Sequence, residues 1–330
     1  MKKIFRPRIN HSKKVFTVLL FLLSFALFQA QVKLDENSIL IENISYKTID
    51  KGDTNRVLLD IYMPKNPVKK VPVLVQIHGG AWVEGNKSLT GRTFSEMAVE
   101  QLLKLGYAVV SINYRLVNKE IHFPIPIQDC KDAIRWIRKN AEKYQFDTEN
   151  IGVWGGSAGA HLSLLAAYTD DAKFIGDPDL AHYSAKVNYV LDEFGPVDMN
   201  AILQTKAGKF KLFLARLLKK DLISLRARLI NAITGMDINT QKKEIIALCD
   251  DISPIHYTET AVPTMIWHGN KDNVVPLKQS KLLLKKLKEN HVDAALHVID
   301  GGDHGFTKST ESVHAEIAKQ MVDFVVKNTQ

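Results

Sequence analysis

Ile151-Gly152-Val153-Trp154-Gly155-Gly156-Ser157-Ala158-Gly159-Ala160-His161-Leu162-Ser163-Leu164-Leu165 is the stretch whose reading decides the fold. It opens as an apolar strand-forming run, passes through a Gly-x-Ser-x-Gly pentapeptide and closes as a helix-forming run. A serine forced through so sharp a strand-to-helix turn crowds its neighbours, so only very small residues such as Gly156 and Ala158 fit beside it. The turn lifts the Ser157 hydroxyl above the sheet edge. The helix N-terminus lies beneath it and favours developing negative charge. The stretch therefore predicts a nucleophile elbow with Ser157 at its apex.

Around this turn, strand-like runs occupy 39–44, 57–62, 71–77, 107–112, 151–154, 187–194, 264–268 and 294–299. Helix-like runs occupy 88–105, 127–144, 158–168, 277–289 and 313–327. The first two strands lie close enough for a hairpin. From Val71 onward strands and helices alternate, which predicts an α/β fold: a mostly parallel eight-stranded sheet with helices on both faces. Residues 198–252 break the alternation. They hold only helical patterning, with Phe210, Phe213, Leu214, Leu217, Leu218, Leu222, Leu225 and Leu229 on one apolar face. This insertion is expected to form a helical cap over the C-terminal edge of the sheet. Between Lys206 and Leu229 the net charge is +7, with Asp221 the single acid. A solvated basic face explains that charge, and so does a surface that meets anionic lipid or acidic glycan.

Residues 1–14 carry six basic side chains and no acid, and 15–28 are almost wholly apolar. That is the pattern of a secretory signal over residues 1–30, with an apolar run shorter than the ~20 residues that span a bilayer. Cleavage after Ala30 leaves a catalytic domain over 31–330, exported to the periplasm or beyond, with no stable membrane anchor. The whole chain is +8, but six of those charges belong to residues 1–30. The alkaline balance is therefore no sign of nucleic-acid binding. Cys130 and Cys249 are the only cysteines. They could pair in an exported protein, although Cys130 sits among helix-patterned residues where a small buried thiol is the simpler reading. Asp170, Asp171, Asp177 and Asp179 lack the ligand spacing of a calcium loop, and no zinc spacing occurs, so no metal is expected.

A serine hydroxyl needs a base to take its proton, and the base needs an orienting acid. Asp272 lies in the loop after the strand-like run 264–268, and His304 lies in the glycine-rich loop after 294–299. The order serine, acid, histidine is that of the elbow motif. Asp303 adjoins His304, but adjacent side chains diverge. His268 sits at a strand end and reads as structural. His161, four residues beyond Ser157, reads as a packed histidine beside the site. Acyl transfer also needs amide donors for the oxyanion, and His78-Gly79-Gly80-Ala81-Trp82 directly follows the run 71–77. Gly80, Ala81 and Ala158 are the expected donors, with His78, Gly79 and Trp82 in support.

With these motifs the chain resembles α/β-hydrolases of the esterase and lipase group related to hormone-sensitive lipase, including secreted acetyl and feruloyl esterases. The matching residues are His78 to Trp82, Asn113-Tyr-Arg-Leu116 with Phe123-Pro124 and Asp129, Gly155 to Gly159, His268-Gly-x-x-Asp272 with Val275-Pro276, and His304-Gly-Phe306. The third glycine of the commoner His-Gly-Gly-Gly is Ala81 here, which still supplies an N–H. The resemblance implies ester hydrolysis through an acyl-enzyme with no metal or organic cofactor. It also implies that Tyr114, Arg115 and Asp129 organise the scaffold.

The expectation is an exported serine carboxylesterase acting on short-chain or aromatic acyl esters, free or linked to plant polysaccharide. An amidase or peptidase resembling prolyl-oligopeptidase relatives or an arylformamidase would use the same residues. A binding protein on a hydrolase scaffold is the reading from another class, and intact Ser157, Asp272 and His304 argue against it.

Overall fold

The eight strand-like runs become one eight-stranded sheet: β1 (Ser38–Ser45), β2 (Leu58–Pro64), β3 (Val71–Ile77), β4 (Ala108–Ile112), β5 (Phe146–Gly156), β6 (Tyr189–Glu193), β7 (Thr264–Gly269) and β8 (Ala294–Ile299). The computed structural model describes residues 32–50, 53–89, 93–206 and 220–329. The expected signal segment and every apolar and basic position between 207 and 219 lie outside the described residues.

The strand order is β1-β2-β4-β3-β5-β6-β7-β8. β1 and β2 form the expected antiparallel pair, β2 is also antiparallel to β4, and every pairing from β4 to β8 is parallel. β3 shows why a continuous apolar run becomes a central strand, since Val71, Val73, Leu74, Val75 and Ile77 are all sealed from solvent. The chain leaves β3 for β4 on one side and returns to β5 on the other. The chain direction therefore switches between β3 and β5, the place where open α/β sheets take their ligands, outside the strands' C-terminal ends.

Helices Thr93–Lys104 and Glu311–Lys327 cover one face of the sheet. Helices Ile125–Lys139, Ala158–Tyr168 and Lys278–Glu289 cover the other. The patterned run 127–144 is two helices, because Asn140 leaves the helical region before Ala141–Tyr144 begins. The run expected from 88 begins at Thr93, and the Ser88 amide is held instead by the Asn86 side chain at 2.8 Å. Cys130 and Cys249 are both buried free thiols.

Between β6 and β7 the described helices are Met199–Ile202, Lys220–Thr234 and Lys242–Asp251. The C-terminal end of Lys220–Thr234 is tied to the loop after β4. Phe123 N–H donates to the Ile233 carbonyl at 2.9 Å and His122 Nδ1 to that of Ala232 at 2.8 Å.

Candidate active site

β3, β5, β7 and β8 run parallel, so the segments leaving their C-terminal ends converge on one edge. From β5 the chain enters Ser157 at φ 56°, ψ −119°, a left-handed conformation that costs a non-glycine residue of order 1–3 kcal/mol. Its amide donates to the Glu193 carbonyl of β6 at 2.8 Å. Close approach explains the second glycine of the pentapeptide: a Cβ on Gly159 would stand 2.0 Å from the Ile77 carbonyl oxygen and 2.7 Å from that of His78. The elbow helix can thus lie directly against the end of β3.

The three expected partners meet. Ser157 Oγ lies 3.0 Å from His304 Nε2, and His304 Nδ1 lies 2.7 Å from Asp272 Oδ2. An ionised carboxylate only accepts, so the imidazole carries its proton on Nδ1 and leaves Nε2 to accept from the serine hydroxyl. The second carboxylate oxygen, Oδ1, takes the Val274 and Val275 amides at 2.7 and 3.0 Å. Burial would raise the Asp272 carboxyl. Hydrogen bonds from His268 and His304 and from the Val274 amide outweigh burial and hold it well below the usual carboxylate range. Asp303 turns away and takes the Thr307 hydroxyl at 2.6 Å.

His268 is buried beneath this acid. Its Nε2 donates to the Val275 carbonyl at 2.8 Å and stands 3.4 Å from Asp272 Oδ2, while Nδ1 meets the Ser280 hydroxyl at 2.7 Å. Phe194 was not singled out by any sequence motif. It packs edge-on to the His304 ring at 4.6 Å and to Phe306 at 5.2 Å, from a residue with φ 48°. Asp192, also unmotivated in the sequence, is wholly enclosed below the site, and burial pushes its carboxyl up to about 6 against the pull of the Gly195 amide. Only its chain position, next to the Glu193 carbonyl that holds Ser157, hinted at either residue.

The segment after β3 folds back as a turn, with Gly80, Ala81 and Trp82 at φ 99°, 50° and 64°. Gly80 alone among them reaches such values without a side-chain penalty. Its carbonyl accepts the Val83 and Glu84 amides, both at 3.0 Å, which closes the turn. No described residue accepts a hydrogen bond from the Gly80, Ala81 or Ala158 amides. Beneath the turn His78 stacks on Tyr114 at 4.3 Å, and the Tyr114 hydroxyl donates to the His78 carbonyl at 3.1 Å. Burial lowers the His78 imidazole to about 4, with the Gly79 carbonyl pulling the other way.

His161 joins three parts of the molecule. Trp82 Nε1 donates to its Nδ1 at 3.2 Å, and its Nε2 donates to the Ile252 carbonyl at 2.7 Å. It therefore ties the elbow helix to the turn after β3 and to the chain leaving helix Lys242–Asp251. The ring is fully buried, and burial lowers it to about 4, so it is neutral in this role. Farther below, Arg115 grips Asp129 through Nε at 2.9 Å and Nη2 at 2.7 Å, and Lys47 reaches the same carboxylate at 2.5 Å. Tyr114, Arg115 and Asp129 thus stand under the turn rather than in it.

A mostly parallel eight-stranded sheet with a serine elbow at its switch point, and an acid and a histidine on later loops, defines an α/β-hydrolase. A family model described as BD-FAE matches residues 59–287, and one described as Dienelactone hydrolase family matches residues 251–327. The chain belongs to the BD-FAE family. Esterase LipC of Mycobacterium tuberculosis is 30% identical over 260 residues, 77% of this chain and 58% of LipC. Arylacetamide deacetylase of Oryctolagus cuniculus is 37% identical over 136 residues, 40% of this chain and 32% of that protein. The chain therefore spans little more than half of LipC and a third of the deacetylase. A solved truncated form of a carbohydrate esterase from gut microbiota superposes with a TM-score of 0.71 at 27% identity, over 91% of this chain and 99% of that one.

Proposed function

We propose that the protein is an exported serine carboxylesterase that cleaves short-chain or aromatic acyl esters, among them esters carried by plant polysaccharide. The observation that carries the reading is the hydrogen-bonded line from Ser157 through His304 to Asp272, at 3.0 and 2.7 Å. No described residue accepts from the Gly80, Ala81 and Ala158 amides, which supports them as the oxyanion donors. Similarity to proteins named esterase and carbohydrate esterase supports the substrate class.

His304 Nε2 takes the Ser157 proton as Oγ attacks the ester carbonyl. The carbonyl oxygen becomes an alkoxide, and the three amides stabilise it, each contributing roughly 3 kcal/mol in the transition state. Asp272 stabilises the imidazolium that forms. Collapse of the intermediate expels the alcohol, which leaves with the proton from His304. Water, deprotonated by the same nitrogen, then releases the acid from Ser157. The helices between β6 and β7 act as the cap of this site, a role supported by the ties of Phe123 and His122 to Ile233 and Ala232.

Nitrophenyl esters of rising acyl length, acetylated xylan and a feruloyl ester test the reading, with Ser157→Ala run beside the native protein. Turnover of the shorter esters that disappears in Ser157→Ala is the expected result, and turnover untouched by the substitution would sink the mechanism. Similarity to arylacetamide deacetylase favours a second reading, amide cleavage by the same residues. An anilide cleaved faster than the matching ester would establish it.

A further inference from the structure

A concavity lies on the sheet edge that carries the site. Its volume of about 230 Å³ falls under the ~300–1,000 Å³ typical of a complete ligand site, a size for one unit of a longer molecule. Arg56 and Arg115 stand in its walls, and Val83, Leu116, Val117 and Ile121 give it an apolar lining. Topology fixes its place. Arg56 precedes β2, which runs antiparallel to β4, while Val83 follows β3 and residues 115–121 follow β4. All three segments therefore emerge at the sheet edge that carries Ser157, on the far side of the turn Gly80–Val83.

Both guanidinium groups are held before any ligand arrives. Arg115 is clamped by Asp129, a carboxylate that Lys47 also reaches at 2.5 Å. Arg56 Nη1 donates to the Gly85 carbonyl at 2.6 Å, and its Nε stands 3.8 Å from the more exposed Asp53, which also lines the cleft. With Nε and Nη2 of Arg115 on Asp129 and Nη1 of Arg56 on Gly85, a ligand carboxylate would meet Nη1 of Arg115 and Nη2 of Arg56, whose fixed positions lower the ordering cost of binding. The loop that supplies Arg115 also receives the end of helix Lys220–Thr234 through His122 and Phe123.

We propose that this cleft is a subsite for a carboxylate-bearing sugar unit in the alcohol portion of the substrate, so that the ester cleaved at Ser157 is carried on an acidic polysaccharide. The carboxylate meets Arg56 and Arg115, and the less polar face of the sugar ring rests on the aliphatic lining. The proposal rests on the esterase reading for its place in catalysis, but binding at the subsite needs no turnover.

Calorimetry on Ser157→Ala tests it with a xylo-oligosaccharide carrying one glucuronate and with the neutral oligosaccharide of equal length. The acidic ligand is expected to bind at least tenfold tighter in low salt, and the preference to shrink in 0.5 M NaCl. Arg56→Gln should cut the preference below threefold, and Arg56→Lys should keep part of it. In the native protein, the ratio of kcat/KM for acetylated acidic over neutral oligosaccharides should fall with Arg56→Gln, mainly through KM. Equal affinity for the two ligands, or equal weakening of both by Arg56→Gln, would overturn the subsite. Binding to phosphatidylglycerol vesicles in place of the acidic oligosaccharide would also overturn it. Tight acidic binding without ester turnover by the native protein would leave the subsite standing and remove the esterase reading.

Discussion

Replacing Asp272 with Asn probes how the candidate base is oriented. Oδ1 of Asp272 accepts two backbone amides, Val274 at 2.7 Å and Val275 at 3.0 Å, whereas Oδ2 faces His304 Nδ1 at 2.7 Å and His268 Nε2 at 3.4 Å. The asparagine carbonyl must therefore keep the position of Oδ1, and its NH2 group must take that of Oδ2. A donor then faces Nδ1, so the His304 proton moves to Nε2, where it can no longer accept from Ser157. Loss of the carboxylate charge beside the imidazolium removes about 4 kcal/mol at an effective dielectric near 20, close to a thousandfold in rate. The wrong tautomer brings the expected loss in kcat to ~10³–10⁴-fold. The assay is steady-state hydrolysis of nitrophenyl acetate, with circular dichroism to show that the variant is folded. Asp303→Asn is the control and should stay within about threefold, because Asp303 binds Thr307 and not His304. A loss below tenfold in Asp272→Asn, or an equal loss in Asp303→Asn, would refute this account of the acid.

Gly159→Ala forces a methyl group onto the Ile77 and His78 carbonyls and should destabilise the fold by roughly 1–3 kcal/mol or more, read as a lower urea midpoint. Trp82→Phe removes the donor to His161 Nδ1 and leaves a buried acceptor unpaired, which should cost about 1–3 kcal/mol in the same measurement. His161 is lowered by burial to about 4, so the unfolded chain binds this proton first as pH falls from 6.5. Its contribution to stability is complete above pH 6.5 and lost toward pH 4, with about 2 kcal/mol gone by pH 5. Melting temperatures at pH 7 and 5 should therefore differ less in His161→Phe than in the native protein, and an unchanged difference would contradict the shift.

The sheet was legible because its central strands are apolar on both faces and its helices keep one apolar stripe. All eight runs found their strands, and the helix 158–168 matched residue for residue. Strand order was not legible, since β4 and β5 pair with β3 from opposite sides and nothing local in either run says which. At the site, Ser157, Asp272 and His304 stood out because each follows a strand in a glycine-rich loop. Phe194 did not, since an aromatic after a strand reads as core until its ring is seen edge-on to His304. The roles of the two nitrogens of His161 depend on Ile252, which is 91 residues away in sequence. No spacing rule reaches that far.

The central claim is that Ser157 is the attacking group, and covalent labelling measures it most directly. The protein treated with a fluorophosphonate should gain one adduct, which peptide mapping places on Ser157, as ester turnover falls to zero. Ser157→Ala should gain none. Full ester turnover in a protein that carries no adduct, or an adduct mapped to another residue, would contradict the account.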